Sequence, residues 1–325
     1  MRTQLATGGE DVAVTCELPW VAERIGEAAD GRLDPRPVRP PTMRVLVEQS
    51  GHAFDTAGLS QMSRDAWAAD GEIVLRDVVT SGFDMRLRWD DGVPEAAFRW
   101  RPPPRTSAAA LVLRSRARLL MRAALMQFPV LWVAATRGRA PVHASACTAG
   151  RHGPALLVGP SGVGKTTVVE EEVRSGGSAA SDNLGVGDGE TLWGIVEPVR
   201  SEQGRGKPAP HGRRETSLAH RVEYLRPRVL IVLRRGSEVR VQQCGEQDAA
   251  RALVASTYAA GELRRYWPLH ALLALGTGIG PAHPPVNEVA AAFASQLQCL
   301  TVELPHVRGV RIADILEKAE LTTWM

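Results

Sequence analysis

From Met43 to Trp100 apolar and polar positions alternate in short runs, MRVLVEQ, EIVLRDV, DMRLRW and EAAFRW, the period-two pattern of strands with one buried face. Asp-Gly pairs at 70–71 and 91–92 punctuate these runs, and an Asp-Gly between alternating segments signals a hairpin because both turn residues take positive φ. Upstream, Leu18, Val21, Ile25 and Ala28 fall at helical spacing, and the proline-rich stretch from Pro35 to Pro41 ends that segment, since each proline fixes φ and removes a backbone donor. Arg101-Pro102-Pro103-Pro104-Arg105 closes the strand-rich part. The pattern predicts a small antiparallel α+β domain over 1–105, suited to recognising a substrate.

Ser107 fits the N-cap of a helix to about Gln127, with Leu111, Leu119, Leu120, Ala123 and Met126 as its apolar positions. Arg114, Arg118 and Arg122 share one face, read as solvated in preference to a phosphate or acidic-peptide contact. Pro129 is expected to interrupt the helix before Val130–Ala135. From Pro141 the runs PVHASACTAG and ALLVG read as two strands, and a helix from Thr166 to Arg174 is stopped by Gly176-Gly177. Strand-like runs at Leu192–Val196 and Val229–Leu233, and helical stretches at about 247–260 and 286–297, complete an α/β alternation over 106–325.

Composition narrows the function classes only a little. The 325 residues suit about two domains, and a formal net charge of +3 names no nucleic-acid or membrane partner. Cys16, Cys147, Cys244 and Cys299 lack metal-ligand spacing. No signal segment and no run near 18 consecutive apolar residues is apparent, so a cytoplasmic protein is expected.

The chemistry is concentrated in Gly159-Pro160-Ser161-Gly162-Val163-Gly164-Lys165-Thr166, a complete P-loop between a strand and a helix. Gly159, Gly162 and Gly164 free backbone N–H groups to face phosphate oxygens, with Ser161, Val163 and Thr167 completing the cradle. Lys165 reaches the outer phosphates, and the Thr166 hydroxyl suits Mg²⁺. There is no Asn-Lys-x-Asp motif and no Leu-Ser-Gly-Gly-Gln signature, and the strand Val229–Leu233 ends in Arg234-Arg235, not in a carboxylate. The acid best placed to complete a metal site or orient a nucleophile is Asp182.

His143 on a strand, a P-loop about fifteen residues later, a short helix, and a small-residue strand ending in Ser181-Asp182-Asn183 together resemble the HPr kinase/phosphorylase catalytic domain. The pattern is most similar to the HPr-kinase-related enzymes of peptide natural-product clusters, including the lasso-peptide type. The resemblance spans about residues 110–235, and more loosely the chain to about 320. It implies a fold like phosphoenolpyruvate carboxykinase, with ATP and Mg²⁺ as cofactors and transfer of the γ-phosphate to a serine hydroxyl. It further implies catalytic roles for His143, Lys165 and Asp182, and a metal set of Thr166, Asp182 and Glu197. Asn183 departs from the family, standing where a second aspartate is usual, so if that aspartate is the family's base the role falls to Asp182 or His143, or else the reaction is changed or slow. Without the resemblance, His143 also fits a hydrogen-bonded core histidine, Glu197 a surface acid and Asp182-Asn183 a turn pair.

Gly204–Arg214 carries Arg205, Lys207, His211, Arg213 and Arg214, and reads first as a lid over the triphosphate, then as a plain loop, then as a nucleic-acid contact. The leading expectation is an ATP-dependent kinase acting on a hydroxyl of a peptide, carrier protein or small molecule. A slowly hydrolysing ATP-dependent switch protein and a small-molecule phosphotransferase are the alternatives. Nucleic acid and membrane are disfavoured as partners, and a homo-oligomer is left open.

Overall fold

The computed structural model describes residues 1–325 other than 37, 38, 91, 203, 306–308, 324 and 325. Pro37 of the proline-rich stretch and Asp91 of the second turn lie outside the described residues, as does the side chain of His211.

The first sheet holds β1 (Arg2–Thr7), β2 (Glu10–Cys16), β3 (Met43–Glu48), β4 (Ser60–Ser63), β5 (Ala66–Ala69), β6 (Glu72–Leu75), β7 (Phe83–Asp90) and β8 (Val93–Trp100). Their order is β1-β2-β3-β8-β7-β6-β5-β4. Asp70-Gly71 makes the tight link between antiparallel β5 and β6, with Gly71 at φ +73°. The expectation of an antiparallel sheet is corrected, because β2 runs parallel to β3 and β3 parallel to β8. Helix α1 (Pro19–Ala28) lies in the connection between β2 and β3, and a connection of that length lets the chain return in the same direction.

A helical run follows: α2 (Pro104–Val112), α3 (Arg114–Arg122), a π-turn (Ala123–Gln127) and α4 (Phe128–Thr136). It starts with Pro104 in its first turn, three residues before the expected Ser107 cap. Pro129 does not interrupt it, because the π-turn places that proline in the first turn of α4, where a missing N–H is tolerated. By length and composition alone Arg114–Thr136 could cross a membrane, and 78% of its most apolar stretch is buried inside the protein.

The remaining strands are β9 (Ala140–Val142), β10 (Ser145–Thr148), β11 (Pro154–Val158), β12 (Ala179–Ser181), β13 (Gly185–Gly187), β14 (Leu192–Gly194), β15 (Val199–Ser201), β16 (Arg214–Thr216), β17 (Tyr224–Leu225), β18 (Val229–Arg235), β19 (Arg240–Gln243) and β20 (Gln298–Leu304). Helix α5 (Lys165–Arg174) follows β11, helices α6 (Glu246–Ala259), α7 (Tyr266–Thr277) and α8 (Val286–Gln296) succeed one another between β19 and β20, and α9 (Ile312–Thr323) follows β20. A second sheet runs β12-β10-β11-β18-β20-β19, with β11, β18 and β20 parallel; a third runs β17-β14-β13-β9. The whole is mixed α/β with several sheets.

One core joins both regions. Val14, Val45 and Phe98 of the first sheet pack in the same cluster as Phe128 and Trp132 of α4, Val186, Ile195, and Tyr266 and Leu269 of α7. The β1–β2 turn is pressed against this structure: Gly8 N donates to Gly194 O at 2.9 Å, and a Cβ on Gly8 would lie 2.8 Å from Ile195 Cδ1. Thr7 Oγ1 accepts from Val196 N at 2.8 Å, fixing the chain one residue before Glu197.

Candidate active site

Parallel β11 and β18 end side by side, at the carboxyl edge where open α/β sheets take their ligands. The chain leaves β11 through the P-loop and enters α5 at Lys165. Gly159 passes so close to β18 that a Cβ would sit 2.7 Å from Leu233 O, and its φ of +151° is one that glycine alone takes readily. Ser161, Gly162, Val163, Gly164, Lys165, Thr166 and Thr167 all line a cleft of about 780 Å³, and Gly159 does not. Buried Lys165 donates from Nζ to Gly159 O at 2.6 Å and Pro160 O at 3.3 Å. Burial brings its ammonium down to about 8, against the upward pull of Glu262 and Asp182.

Asp182 follows β12 into the cleft, its carbonyl oxygen held by Ser145 Oγ at 2.5 Å. Its Oδ2 accepts from Thr166 Oγ1 at 3.3 Å. Burial, then the charge of Glu197, pushes its carboxyl up to about 6, while Arg200 and Arg221 pull it back.

Asn183 bridges two buried groups, its Nδ2 donating to Glu197 Oε1 at 3.2 Å and its Oδ1 facing His143 Nε2 at 3.2 Å. The carboxylate fixes the amide's orientation, so His143 carries its proton on Nε2 and donates to Asn183. Its Nδ1 then accepts from Ser256 Oγ at 2.9 Å. Burial, then Lys165, holds the imidazole well below its usual range, so it is neutral and its lone pair is turned towards α6. His143 and Asn183 both line the cleft.

Glu197 is brought into this network but does not line the cleft. Its Oε2 accepts from Gln127 Nε2 at 3.1 Å, and Arg122 and Arg200 approach it at 3.9 Å. Buried Arg221 donates to the carbonyl oxygens of Ala180 and Glu197 at 3.2 and 2.6 Å, tying together the segments that carry Asp182 and Glu197.

Four groups at the site escaped the sequence reading. Arg200 lines the cleft and pairs with Glu262 at 2.9 Å. Burial alone would raise Glu262, but Arg200 carries it below its usual range. Ser256 comes from α6, and Arg235 donates to Gly162 O at 2.8 Å. Only Arg235 left a signal, as the strand end that carries arginine where a carboxylate was sought. Between β15 and β16 the basic loop is tied down: Lys207 pairs with Glu27, Arg118 binds Pro208 O, and Arg213 lines the cleft.

The cleft volume lies in the range of nucleotide-sized ligands. Its lining of P-loop residues, with Lys165, Arg200, Arg213 and Arg235 among the groups around it, is complementary to a polyphosphate. No group of three or more His, Cys, Asp or Glu among the described residues is arranged to hold a metal. The Thr166–Asp182 pair suits a hard cation that fills its other positions with phosphate oxygens and water.

No family model and no curated protein matches the chain. Among solved structures, the HPr(Ser) kinase/phosphatase from Coxiella burnetii is similar at 12% identity and a TM-score of 0.29, covering 57% of this chain and 99% of that one.

Proposed function

We propose that the chain is an ATP-dependent phosphotransferase of HPr-kinase-like type, moving the γ-phosphate to a serine or other hydroxyl of a peptide, a carrier protein or a natural-product intermediate. The observation that carries this reading is Asp182, a buried carboxyl held at about 6, 3.3 Å from the P-loop hydroxyl of Thr166. A carboxylate so tuned is ionised at neutral pH yet basic enough to receive a proton.

The acceptor hydroxyl loses its proton to Asp182 as its oxygen bonds to the γ-phosphorus; the bond to the bridging oxygen breaks and ADP leaves. Lys165, Arg200 and Arg235 offset charge on the phosphoryl oxygens. Thr166 and Asp182 would hold Mg²⁺, which when bound neutralises phosphate charge. Glu197 acts from behind, orienting Asn183. His143, with its proton on Nε2, serves as a donor that braces Asn183, while its Nδ1 takes the Ser256 hydroxyl.

Intact mass spectrometry of candidate acceptors after ATP treatment tests the reading. A phosphate-sized gain is expected, abolished in Lys165→Ala and reduced roughly 10²–10⁴-fold in Asp182→Asn. Release of free phosphate alone would instead identify a hydrolysing switch protein.

A further inference from the structure

Helices α1, α2 and α3 and the end of β8 enclose a second cavity, of about 570 Å³. Its floor is apolar, from Trp100, Ala110, Leu113, Ala117, Leu120 and Met121. Six arginines line it, Arg24, Arg105, Arg114, Arg116, Arg118 and Arg265, and none of its described lining residues is a carboxylate. Arg24 pairs with Glu27 at 2.9 Å, and Arg118 and Arg265 bind the carbonyl oxygens of Pro208 and Val79. Arg105, Arg114 and Arg116 are exposed and make no ion pair among the described residues. Exposed Leu111, Val112 and Leu113 extend the apolar surface at the break between α2 and α3.

A chain of net charge +3 has thus gathered six cations around one apolar trough, at the cost of mutual repulsion such as that of Arg116 on Arg265. The complement of such a surface is an apolar side chain flanked by carboxylates. The trough is concave, which a bilayer surface does not enter, and Trp100 is the one aromatic among its described lining residues, too few for a base-stacking platform. The trough and the cleft share the β15–β16 connection, since Arg118 binds Pro208 O in it and Arg213 of the same connection lines the cleft.

We propose that this groove docks an acidic, apolar-anchored segment of the substrate peptide or protein, a reading that rests on the phosphotransfer function above. The test is fluorescence anisotropy on the full chain, without nucleotide, using three labelled peptides: glutamates flanking a leucine pair, lysines flanking the same pair, and the glutamate peptide with serines for leucines. The first should bind, the second should not, and the third should bind at least about tenfold more weakly. Arg114→Glu with Arg116→Glu should weaken the first at least about tenfold, Arg114→Ala with Arg116→Ala less so, with unchanged melting and unchanged binding of a fluorescent ATP analogue. Equal affinity of variant and native chain overturns the proposal. So does arginine-dependent capture of phosphatidylserine vesicles or an oligonucleotide without capture of the acidic peptide. Peptide binding with no transfer to any hydroxyl keeps the groove and fails the phosphotransfer reading; transfer that ignores the arginines fails the groove alone.

Discussion

Asp182 and Lys165 titrate on opposite sides of neutrality, and both need their charge for the proposed reaction. Asp182 must be ionised to take a proton, so activity is lost as pH falls through about 6, or through a lower pH where Mg²⁺ on the same carboxylate favours its ionised form. Lys165 must be protonated to pair with phosphate, so activity is lost as pH rises through about 8. The profile of kcat/KM, which reports the free enzyme, should therefore be a bell between those limits. Asp182→Asn should remove the acid limb, and a profile flat from pH 5 to pH 9 would separate these groups from the rate. Asn183 sharpens the picture at the same scale. An aspartate there would set a carboxylate 3.2 Å from the position of Glu197 Oε1, and two carboxylates so close favour sharing a proton. Asn183→Asp should lower the melting temperature more at pH 8 than at pH 5, since the raised pKa of the new pair makes stability fall as pH rises. A loss of roughly 1–3 kcal/mol is expected at the higher pH, and an unchanged melting temperature would show that the amide is not a bridge. The P-loop was legible because its spacing is a chemical requirement written in eight consecutive residues. Ser256 and Glu262 were not, because α6 and the turn after it reach the site only through tertiary packing.

Elements read well where one face was buried and poorly where the pattern was uniform. The runs of β3 and β7 alternate and stood out, and the apolar runs of β6 and β8 were read as strands beside them, but their order was not, since parallel pairing is decided by a crossover and not by the strands themselves. Helix α7, YWPLHALLALGT, is apolar on most sides and shows no helical period, so it passed unnoticed. Inside it His270 is buried, its Nε2–H donating to Pro281 O at 2.9 Å and its Nδ1 accepting from Tyr266 Oη at 2.9 Å. Both partners suit the neutral ring, and burial pushes its pKa down to about 4. A folded value below the unfolded one of about 6.5 gives stability that is present above pH 6.5 and lost as pH falls through about 4. At 1.36 kcal/mol per unit the full effect is about 3 kcal/mol. His270→Gln should therefore lose less unfolding free energy between pH 7 and pH 4 than the native chain, by about that amount, in urea titrations at the two pH values. Equal losses would mean that the ring is solvated before the protein unfolds. The arginine stripe of α3 shows the same dependence on context. Arg114 is exposed as expected, but Arg122, two turns on, is buried against Glu215 at 2.8 Å, because the helix dives into the protein along its length.

At the scale of the molecule the question is whether 1–105 and 106–325 are separable. The sequence drew a boundary at the proline run 102–104, and the backbone does change from sheet to helix there. The packing, however, crosses it. Phe128, Leu131, Trp132, Tyr266, Leu269 and Leu273 share a core with the first sheet, and burying one such side chain is worth about 1.5–3 kcal/mol. Six of them amount to on the order of 10 kcal/mol, comparable with the 5–15 kcal/mol that holds a typical domain together. Polar ties add to this, since Arg137 and Arg139 pair with buried Glu10 at 2.7 and 3.3 Å, and Thr7 anchors the backbone beside Glu197. Residues 106–325 expressed alone should expose that apolar face, elute as aggregates on size exclusion and bind a nucleotide analogue at least about tenfold more weakly than the full chain. Co-expression with 1–105 should restore solubility and nucleotide binding, because the two faces are complementary. A monomeric, cooperatively melting 106–325 with full nucleotide affinity would show that the shared core is dispensable and that the P-loop region folds by itself.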